Sequence, residues 1–233
     1  MKQVKICGIT NQEDALFASR CGAAALGFIF YPSSPRFIKP ADAKIVCRAV
    51  PDTVIKVGVF VNEKPEVIKS IVNDCALDMI QLHGDETPEF CRQLPASMII
   101  KAVELKNSDD LSRALTYDVT AILADSRDRG LYGGTGQKSN WELASCLREK
   151  KPLILSGGLN AKNIASALQT VCPDALDINS GVESSPGKKD HEKLTQIFDI
   201  IRKTNEEMDK KGLITISKSE MILRRLVGGD EAY

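Results

Sequence analysis

Cys7 and Asp125 are the residues of this sequence whose types and positions best suit acid–base chemistry. Cys7 ends the apolar run VKIC and Asp125 ends the run AILAD, so each side chain would lie at the tip of a strand. A thiolate can accept a proton and a carboxylic acid can donate one, which makes the two a candidate base and acid. The alternatives are that Cys7 only fills the core and that Asp125 only forms a turn.

Two glycine-containing segments near the C-terminal end are candidates for phosphate binding. LSGGLN contains Ser156, Gly157 and Gly158, and DINSGVES contains Ser180 and Gly181. Exposed backbone N–H groups and the N-termini of the following helices favour anions at such positions. A third segment, DSRDRGLYGGTGQ, is longer than an ordinary connection, which is typical of a functional loop. In the alternative interpretation, these glycines form only turns or a surface loop.

Lys5 lies two residues before Cys7, so the two side chains point to the same face of a strand. If that face is the interior of a barrel, Lys5 needs a partner there. Asp177, at the end of the last predicted strand, would be close, because the last strand of a barrel pairs with the first. Such a pair would place positive charge near Cys7 and favour its thiolate. In the alternative, Lys5 lies at the solvent edge of a twisted strand.

The composition favours a small-molecule ligand over nucleic acid or a membrane. The 31 basic and 31 acidic residues give a formal net charge of +0, so there is no electrostatic basis for binding nucleic acid or an anionic membrane surface. The longest apolar stretch, residues 23–31, is too short to span a bilayer, and the N-terminus lacks a signal-peptide pattern. We therefore expect a cytoplasmic protein.

The seven cysteines and two histidines form no metal or disulfide pattern. The cysteines are widely spaced without a CxxC pair, so we predict neither a disulfide framework nor a zinc site. His83 and His191 have no evident partner in the sequence, and we interpret both as structural rather than catalytic. Because His83 directly follows a predicted strand, we count it as a supporting residue of the site.

Short β-branched runs alternate with amphipathic helical patterns along nearly the whole chain. Pro40 and Pro65 mark helix starts, and Thr10 with Glu13 predicts a capping box. Eight βα units predict an α/β fold, a (β/α)8 TIM barrel, because no G-x-G-x-x-G follows the first strand as an open dinucleotide-binding sheet would require. The predicted strands cover residues 4–6, 25–29, 53–61, 78–81, 98–103, 120–124, 153–155 and 175–178.

The chain is predicted to divide into a catalytic barrel and a C-terminal extension. We place the barrel at residues 1–203, where the last amphipathic pattern ends. Residues 204–233 begin with TNEEMDKKG, which predicts a polar linker. The segment ISKSEMILRRLVGG that follows predicts a possible short amphipathic helix.

Seven motifs, in order along residues 3 to about 200, resemble the phosphoribosylanthranilate isomerases of tryptophan biosynthesis. They are KICGIT, GFIFYPSSPRFI, VGVFVN, QLHGDE, YGGTG, LSGGL and GVESSPGKKD. The resemblance implies a (β/α)8 barrel that uses no cofactor and no metal. It also implies an Amadori rearrangement of N-(5'-phosphoribosyl)anthranilate to 1-(2-carboxyphenylamino)-1-deoxyribulose 5-phosphate.

The resemblance implies roles for individual residues. Asp125 would protonate the furanose ring oxygen, and the Cys7 thiolate would then remove the C2' proton. Arg36 would hold the anthranilate carboxylate, which suits the geometry of a guanidinium. Gly8 would leave room for the sugar beside Cys7. The segments around the phosphate and ribose are represented by Gly134, Gly136, Gly157, Gly158, Ser180 and Gly181.

Two departures from the family pattern and two rival functions stay open at this point. The C-terminal segment from about Thr204 has no counterpart in the family pattern, and we expect an added docking helix there. Ser139 and Asn140 follow GGTG where the family has an aromatic residue and Asp. The first rival is a histidine-pathway or dual-specificity aldose–ketose isomerase, against which Cys7 argues because such relatives use Asp at that position. The second is an inactive barrel that acts as a binding protein. The expected partner is a small phosphorylated substrate, and the chain is expected to be a monomer or a homodimer.

Overall fold

Eight parallel strands close into a barrel in the order of the chain, with β8 hydrogen-bonded to β1. The structure is a computed structural model, and it describes residues 2–125 and 141–211. The predicted (β/α)8 TIM barrel is confirmed. The strands are β1 Gln3–Cys7, β2 Ala25–Ile29, β3 Ile55–Phe60, β4 Met79–Leu82, β5 Ile99–Glu104, β6 Ala121–Asp125, β7 Leu153–Ser156 and β8 Ala175–Ile178.

Helices follow the strands and cover the outside of the barrel. Pro40 and Pro65 begin helices as predicted, since proline fits the first helical position. The capping box predicted at Thr10 is wrong: Asn11 caps the first helix, and the Thr10 hydroxyl donates to the Gly187 carbonyl. The helices are α1 Gln12–Cys21, α2 Pro40–Ala49, α3 Pro65–Cys75, α4 Pro88–Cys91, α5 Ser108–Leu115, α6 Trp141–Arg148, α7 Ile164–Val171 and α8 His191–Lys210.

The barrel interior has an apolar floor of alternating strand residues, which are Ala25, Ile55, Val57, Met79, Ile100, Ala102, Ala121, Leu123, Ile154 and Ala175. The intervening strand residues pack against the helices in a larger outer core. Among the described strands, polar side chains of the barrel interior gather toward the carboxyl ends. A closed barrel therefore brings the strand tips of distant parts of the chain to one mouth.

Helix α8 extends past the predicted end of the barrel to Lys210. The linker predicted for residues 204–211 is wrong, because Thr204, Asn205 and Met208 are buried. Together with Ile201 they repeat at three- and four-residue intervals, which continues the inner face of a helix beneath an exposed face of charged residues. The possible helix in ISKSEMILRRLVGG lies outside the described residues. Within the described ranges, none of the helices is long and apolar enough to cross a membrane.

Candidate active site

Cys7 lies at the tip of β1 and is 4% exposed. Gly27 of β2 is its register partner. A Cβ atom on Gly27 would lie 2.8 Å from the Cys7 Sγ and 2.9 Å from the Lys5 Nζ. These distances are shorter than any normal van der Waals contact, so a glycine is required beside the sulfur and the ammonium group.

Lys5 points into the barrel and pairs with Asp177, as the strand parity predicts. The Nζ–Oδ1 distance is 2.7 Å, and both side chains are buried. The Ser156 hydroxyl donates to the other carboxylate oxygen of Asp177 at 3.2 Å. The alternative in which Lys5 lies at the solvent edge is therefore wrong. Burial alone would lower the pKa of Lys5, but Asp177 and Cys7 outweigh it and raise that pKa, so the lysine is charged.

The charge beside Cys7 does not lower its pKa overall. Burial raises the pKa of the Cys7 thiol, Lys5 lowers it, Asp177 raises it again and Lys189 lowers it slightly, and the net direction is upward. The expected support of the thiolate by Lys5 has the right sign, but desolvation is the larger effect. The balance therefore favours the thiol of Cys7 over the thiolate, and Lys5 reduces the cost of ionising it.

Asp125 lies at the tip of β6 next to His83, which follows β4. The His83 Nε2 is 3.3 Å from the Asp125 Oδ2, and the His83 Nδ1 is 2.8 Å from the Gln81 amide nitrogen. His83 thus has a partner that the sequence did not reveal, and its role as a supporting residue stays a prediction. Gln81 is buried, and its Oε1 has no hydrogen-bond partner among residues 2–125 and 141–211.

His191 lies away from the strand tips and has a structural environment. Its ring stacks on Phe17 with centroids 3.9 Å apart, and its Nε2 is 2.9 Å from the Asp14 Oδ1. Asp14 also accepts a hydrogen bond from the Lys189 backbone N–H. This network fastens α8 to α1, which agrees with the structural interpretation of His191.

Cys7 and Asp125 belong to different sides of the barrel mouth. β1 and β6 lie three strands apart in the closed order, with β7 and β8 between them. Asp125 continues the inward-facing series of Ala121 and Leu123, just as Cys7 continues that of Lys5. A substrate in the mouth would therefore have a potential base on one side and a potential acid on the other.

Arg36, in the loop after β2, forms a forked ion pair with Glu183. Its Nε lies 2.9 and 3.0 Å from the two carboxylate oxygens, and its Nη2 lies 2.6 Å from Oε2. Glu183 also accepts from the Lys189 Nζ at 2.9 Å. Burial would raise the pKa of Glu183, but Arg36 and Lys189 outweigh it and hold that pKa below its usual range. The Arg36 Nη1 makes no hydrogen bond to the residues that the structure describes, so its N–H groups can donate to a second carboxylate.

Sequence reasoning missed Glu183 and Lys189 although both lie within the quoted motif GVESSPGKKD. The motif was used as a unit, and the charges within it were not paired with Arg36. Arg36 follows β2 and Glu183 follows β8, with β1 between these strands, so the sequence carries no direct signal for the pair.

Gly8 does not leave room for a sugar, contrary to expectation. A Cβ atom at this position would lie 2.7 Å from the Asn179 Oδ1 and 2.8 Å from the Arg36 Cδ. Its φ of +75° is also in the left-handed region that favours glycine. Gly8 therefore lets the loops that carry Arg36 and Asn179 approach β1.

The two predicted anion segments come together at the mouth. A Cβ atom on Gly181 would lie 1.9 Å from the Leu159 carbonyl oxygen, so the loops after β7 and β8 touch there. Gly181 lies within a single 3₁₀ turn over Ser180–Val182. A Cβ atom on Gly158 would meet nothing within 4 Å, so the backbone there faces open space. Gly134 and Gly136 lie outside the described residues, as do Ser139 and Asn140.

Comparison with known proteins identifies close relatives of this chain. The family model of N-(5'-phosphoribosyl)anthranilate (PRA) isomerase matches residues 4–200. The isomerase of Syntrophus aciditrophicus is 52% identical over 203 residues, which cover 87% of this chain and 88% of that protein. The isomerase of Thermotoga maritima is 47% identical over 196 residues, which cover 83% of this chain and 95% of that protein.

Solved structures agree with the sequence comparison. The crystal structure of the Thermotoga maritima phosphoribosyl anthranilate isomerase has a TM-score of 0.82 and 45% identity, covering 87% of this chain and all of that one. A second structure of such an isomerase, in complex with reduced 1-(o-carboxyphenylamino)-1-deoxyribulose 5-phosphate, has a TM-score of 0.78 and 43% identity. It covers 87% of this chain and all of that chain.

Proposed function

The chain belongs to the N-(5'-phosphoribosyl)anthranilate isomerase family, and we propose that Cys7 is the general base and Asp125 the general acid of its reaction. It is an isomerase of tryptophan biosynthesis that converts N-(5'-phosphoribosyl)anthranilate to 1-(2-carboxyphenylamino)-1-deoxyribulose 5-phosphate. The observation that carries the role assignment is the placement of an ionisable thiol and a carboxyl group at strand tips on different sides of one barrel mouth.

The first step opens the furanose ring. Asp125 donates a proton to the ring oxygen while the anilino nitrogen supplies its lone pair to C1', which breaks the C1'–O bond and gives a Schiff base. His83, with its Nε2 3.3 Å from the Asp125 carboxylate, supports this group. Proton transfer by a positioned carboxyl group accelerates such a step about 10²- to 10⁴-fold.

The second step moves a proton away from C2'. The Cys7 thiolate removes that proton, and the electron pair shifts toward the iminium nitrogen to give an enol-amine that tautomerises to the ketone. Lys5 supports the thiolate by its positive charge, and Asp177 keeps the ammonium group beside the sulfur. The reaction is an internal redox exchange between C1' and C2', so its electrons balance without an external oxidant, and we expect no cofactor and no metal.

Charged and backbone donors would fix the substrate's two anionic ends. Arg36, held by Glu183, would present its Nη1 to the anthranilate carboxylate, since a guanidinium suits a carboxylate. The backbone N–H groups of the loops after β7 and β8 would bind the phosphate, with Gly157, Gly158, Ser180 and Gly181 as the candidates. We keep Gly134 and Gly136 as further candidates for contacts with the phosphate and ribose. Anchoring both ends makes proton transfer effectively intramolecular.

The setting of the protein is also a proposal. We expect a cytoplasmic enzyme with its catalytic barrel over residues 1–203, although α8 carries on past that boundary to Lys210. One solved structure with 42% identity is described as monomers generated from the dimeric Thermotoga maritima isomerase. This supports a homodimer among the two assembly states expected, which are monomer and homodimer.

Loss of substrate fluorescence tests the activity directly. Purified protein should remove the fluorescence of N-(5'-phosphoribosyl)anthranilate in a saturable manner, in buffer that contains a metal chelator. Product formation should match substrate loss by chromatography. Substrate loss at the rate of the protein-free solution would refute the activity for this chain.

Replacing Lys5 by methionine should shift the pH dependence of kcat/KM toward higher pH. The lysine lowers the pKa of Cys7, so its removal leaves burial and Asp177 to raise that pKa further. An opposite charge at contact distance changes a pKa by about 1–3 units, and the thiolate fraction at neutral pH falls about tenfold per unit. We therefore expect kcat/KM near pH 7 to fall about 10- to 10³-fold and the rise with pH to move upward.

In Lys5→Met alone, Asp177 is left as an unpaired buried carboxylate. The double variant Lys5→Met/Asp177→Asn separates that effect from the effect of Lys5 on the pKa of Cys7. Asp177 raises the Cys7 pKa, so neutralising it as well should bring the profile part of the way back. An unmoved pH profile in Lys5→Met, with the protein folded by circular dichroism, would contradict the tuning role of Lys5.

A further inference from the structure

Lys101 and Glu86 form another buried ion pair, outside the barrel interior. The Lys101 Nζ lies 2.8 Å from the Glu86 Oε2, and the two side chains are 2% and 1% exposed. Lys101 lies on β5 between Ile100 and Ala102, which both face the interior, so its own side chain points outward. The steps proposed above use neither residue.

The ammonium group of Lys101 holds the backbone on both sides of His83. It donates to the Gly84 carbonyl at 2.8 Å and to the Leu82 carbonyl at 3.3 Å, in addition to Glu86. An ammonium group has three donors, so these three acceptors use all of them. Lys101 thus holds the peptide unit before His83, through the Leu82 carbonyl, and the unit that follows Gly84.

The Glu86 carboxylate holds the same loop from its other side. It accepts from the Gly84 N–H at 2.9 Å and from the Asn62 N–H at 2.8 Å. A Cβ atom on Gly84 would lie 2.3 Å from the Asn62 Oδ1, so the loops after β3 and β4 are in close contact. The Tyr117 hydroxyl donates to the Glu86 carbonyl at 2.9 Å. The loop over residues 82–86 therefore has few free degrees of motion.

A buried ion pair is an inefficient way to stabilise a fold. The desolvation of both charges largely cancels their attraction, and well-packed apolar residues of similar size are often as good or better. The hydrogen bonds of this pair converge on one short loop, and that loop presents His83 to Asp125. The position of a reacting group matters far more to the rate than such a pair matters to stability, because a displacement of about 1 Å can lower the rate about 10²-fold.

We propose that Lys101 and Glu86 are positioning residues that set His83 against Asp125. The proposal rests on the proposed role of Asp125 as the general acid. The pair touches neither substrate nor reacting atoms, and it acts through the backbone of residues 82–84. Its removal should change the proton-donating step and leave the anion-binding loops after β2, β7 and β8 as they are.

A double-mutant cycle with His83 tests the proposal. Lys101→Met should lower kcat about 10- to 100-fold with KM within about threefold, because His83 is displaced from the acid and the anion sites are not displaced. In a His83→Ala background, the same Lys101→Met change should cost less than about twofold in kcat. An unchanged kcat in Lys101→Met, or an equal cost in both backgrounds, would overturn the proposal.

A second variant guards against loss of folding. Lys101→Met/Glu86→Gln leaves no unpaired buried charge and keeps an acceptor for the Asn62 and Gly84 N–H groups. It should remain folded and still show the lowered kcat, because the hold on the Leu82 and Gly84 carbonyls is gone. A wild-type kcat in this variant would also overturn the proposal. The matched control is Lys56→Met, a mostly buried strand lysine near Asp78, which should leave kcat unchanged.

The His83 imidazole gives a readout that is independent of turnover. The chain has only two histidines, so the His83 signals in a nuclear magnetic resonance spectrum are identified by their loss in His83→Ala. Lys101→Met should shift those signals, while Lys56→Met should not. Failure of the acid assignment itself would show differently, as a near-wild-type kcat in Asp125→Asn, whatever Lys101→Met does.

Discussion

Replacing Cys7 by serine should lower kcat about 10³-fold and leave the fold intact. A serine hydroxyl has nearly the same shape as the thiol, but its alkoxide is not populated at any pH the protein survives. The C2' proton then has no strong acceptor, and general base catalysis of this kind contributes about 10²- to 10⁴-fold. Steady-state fluorescence assays with purified variant protein measure the loss.

The pH profile identifies the group that is lost. Burial raises the pKa of Cys7, so kcat/KM of the wild-type protein should rise with pH through the neutral range as the thiolate forms. Below that pKa the thiol predominates and the rate falls. Cys7→Ser should abolish this rise. Should the rise persist unchanged in the serine variant, the base would be another residue.

Cys75→Ser is the matched control for the serine substitution. Cys75 is buried in α3, and its Sγ lies 3.4 Å from the Pro40 carbonyl, which a serine hydroxyl can also contact. It lies outside the barrel interior, so the change should leave kcat within about twofold. A large loss in Cys75→Ser would mean that sulfur-to-oxygen changes damage this fold in general.

Strand parity explains which parts of the site were predictable. Lys5 and Asp177 were placed correctly because a two-residue period and the closure of β8 on β1 leave little choice once the barrel is assigned. The same period puts Gln81, in β4, and His83, just after β4, on one face, so their contact could be predicted in the same way. Strand tips on a regular scaffold are therefore within reach of sequence reasoning.

Loops and electrostatic balance were not predictable in the same way. The bond between Arg36 and Glu183 joins the loop after β2 to a two-stranded sheet, Glu183–Ser185 with Lys188–Lys189, after β8. Their approach depends on the backbone of Gly8, and no periodicity encodes that. The pKa of Cys7 is a difference between desolvation and charge, so its direction requires the actual burial. The predicted end of α8 is too early, because the charged residues of its exposed face resemble a polar linker. The signal against a linker is Met208, which is buried.

Replacing Asp125 by asparagine should lower kcat about 10²- to 10⁴-fold with KM within a few-fold. Asparagine keeps the size and the contact with His83, but it has no acidic proton for the ring oxygen, and ring opening then depends on water. KM should change little, because asparagine has the size of aspartate and none of the proposed anion donors is the Asp125 carboxyl group. The fluorescence assay gives both constants.

A carboxylate on the neighbouring strand supplies the control that shows whether catalysis needs Asp125 at its own position or only a negative charge at the rim. Glu104 ends β5 and is the register partner of Asp125, so the two carboxylates lie side by side at the rim. Glu104 pairs with Lys106 at 3.0 Å, whereas Asp125 faces His83. Glu104→Gln should therefore keep kcat within about threefold. If Glu104→Gln lowered kcat as much as Asp125→Asn, the acid would be assigned to the wrong strand. If only Asp125→Asn lowers kcat, the proton donor is Asp125, with His83 as its partner.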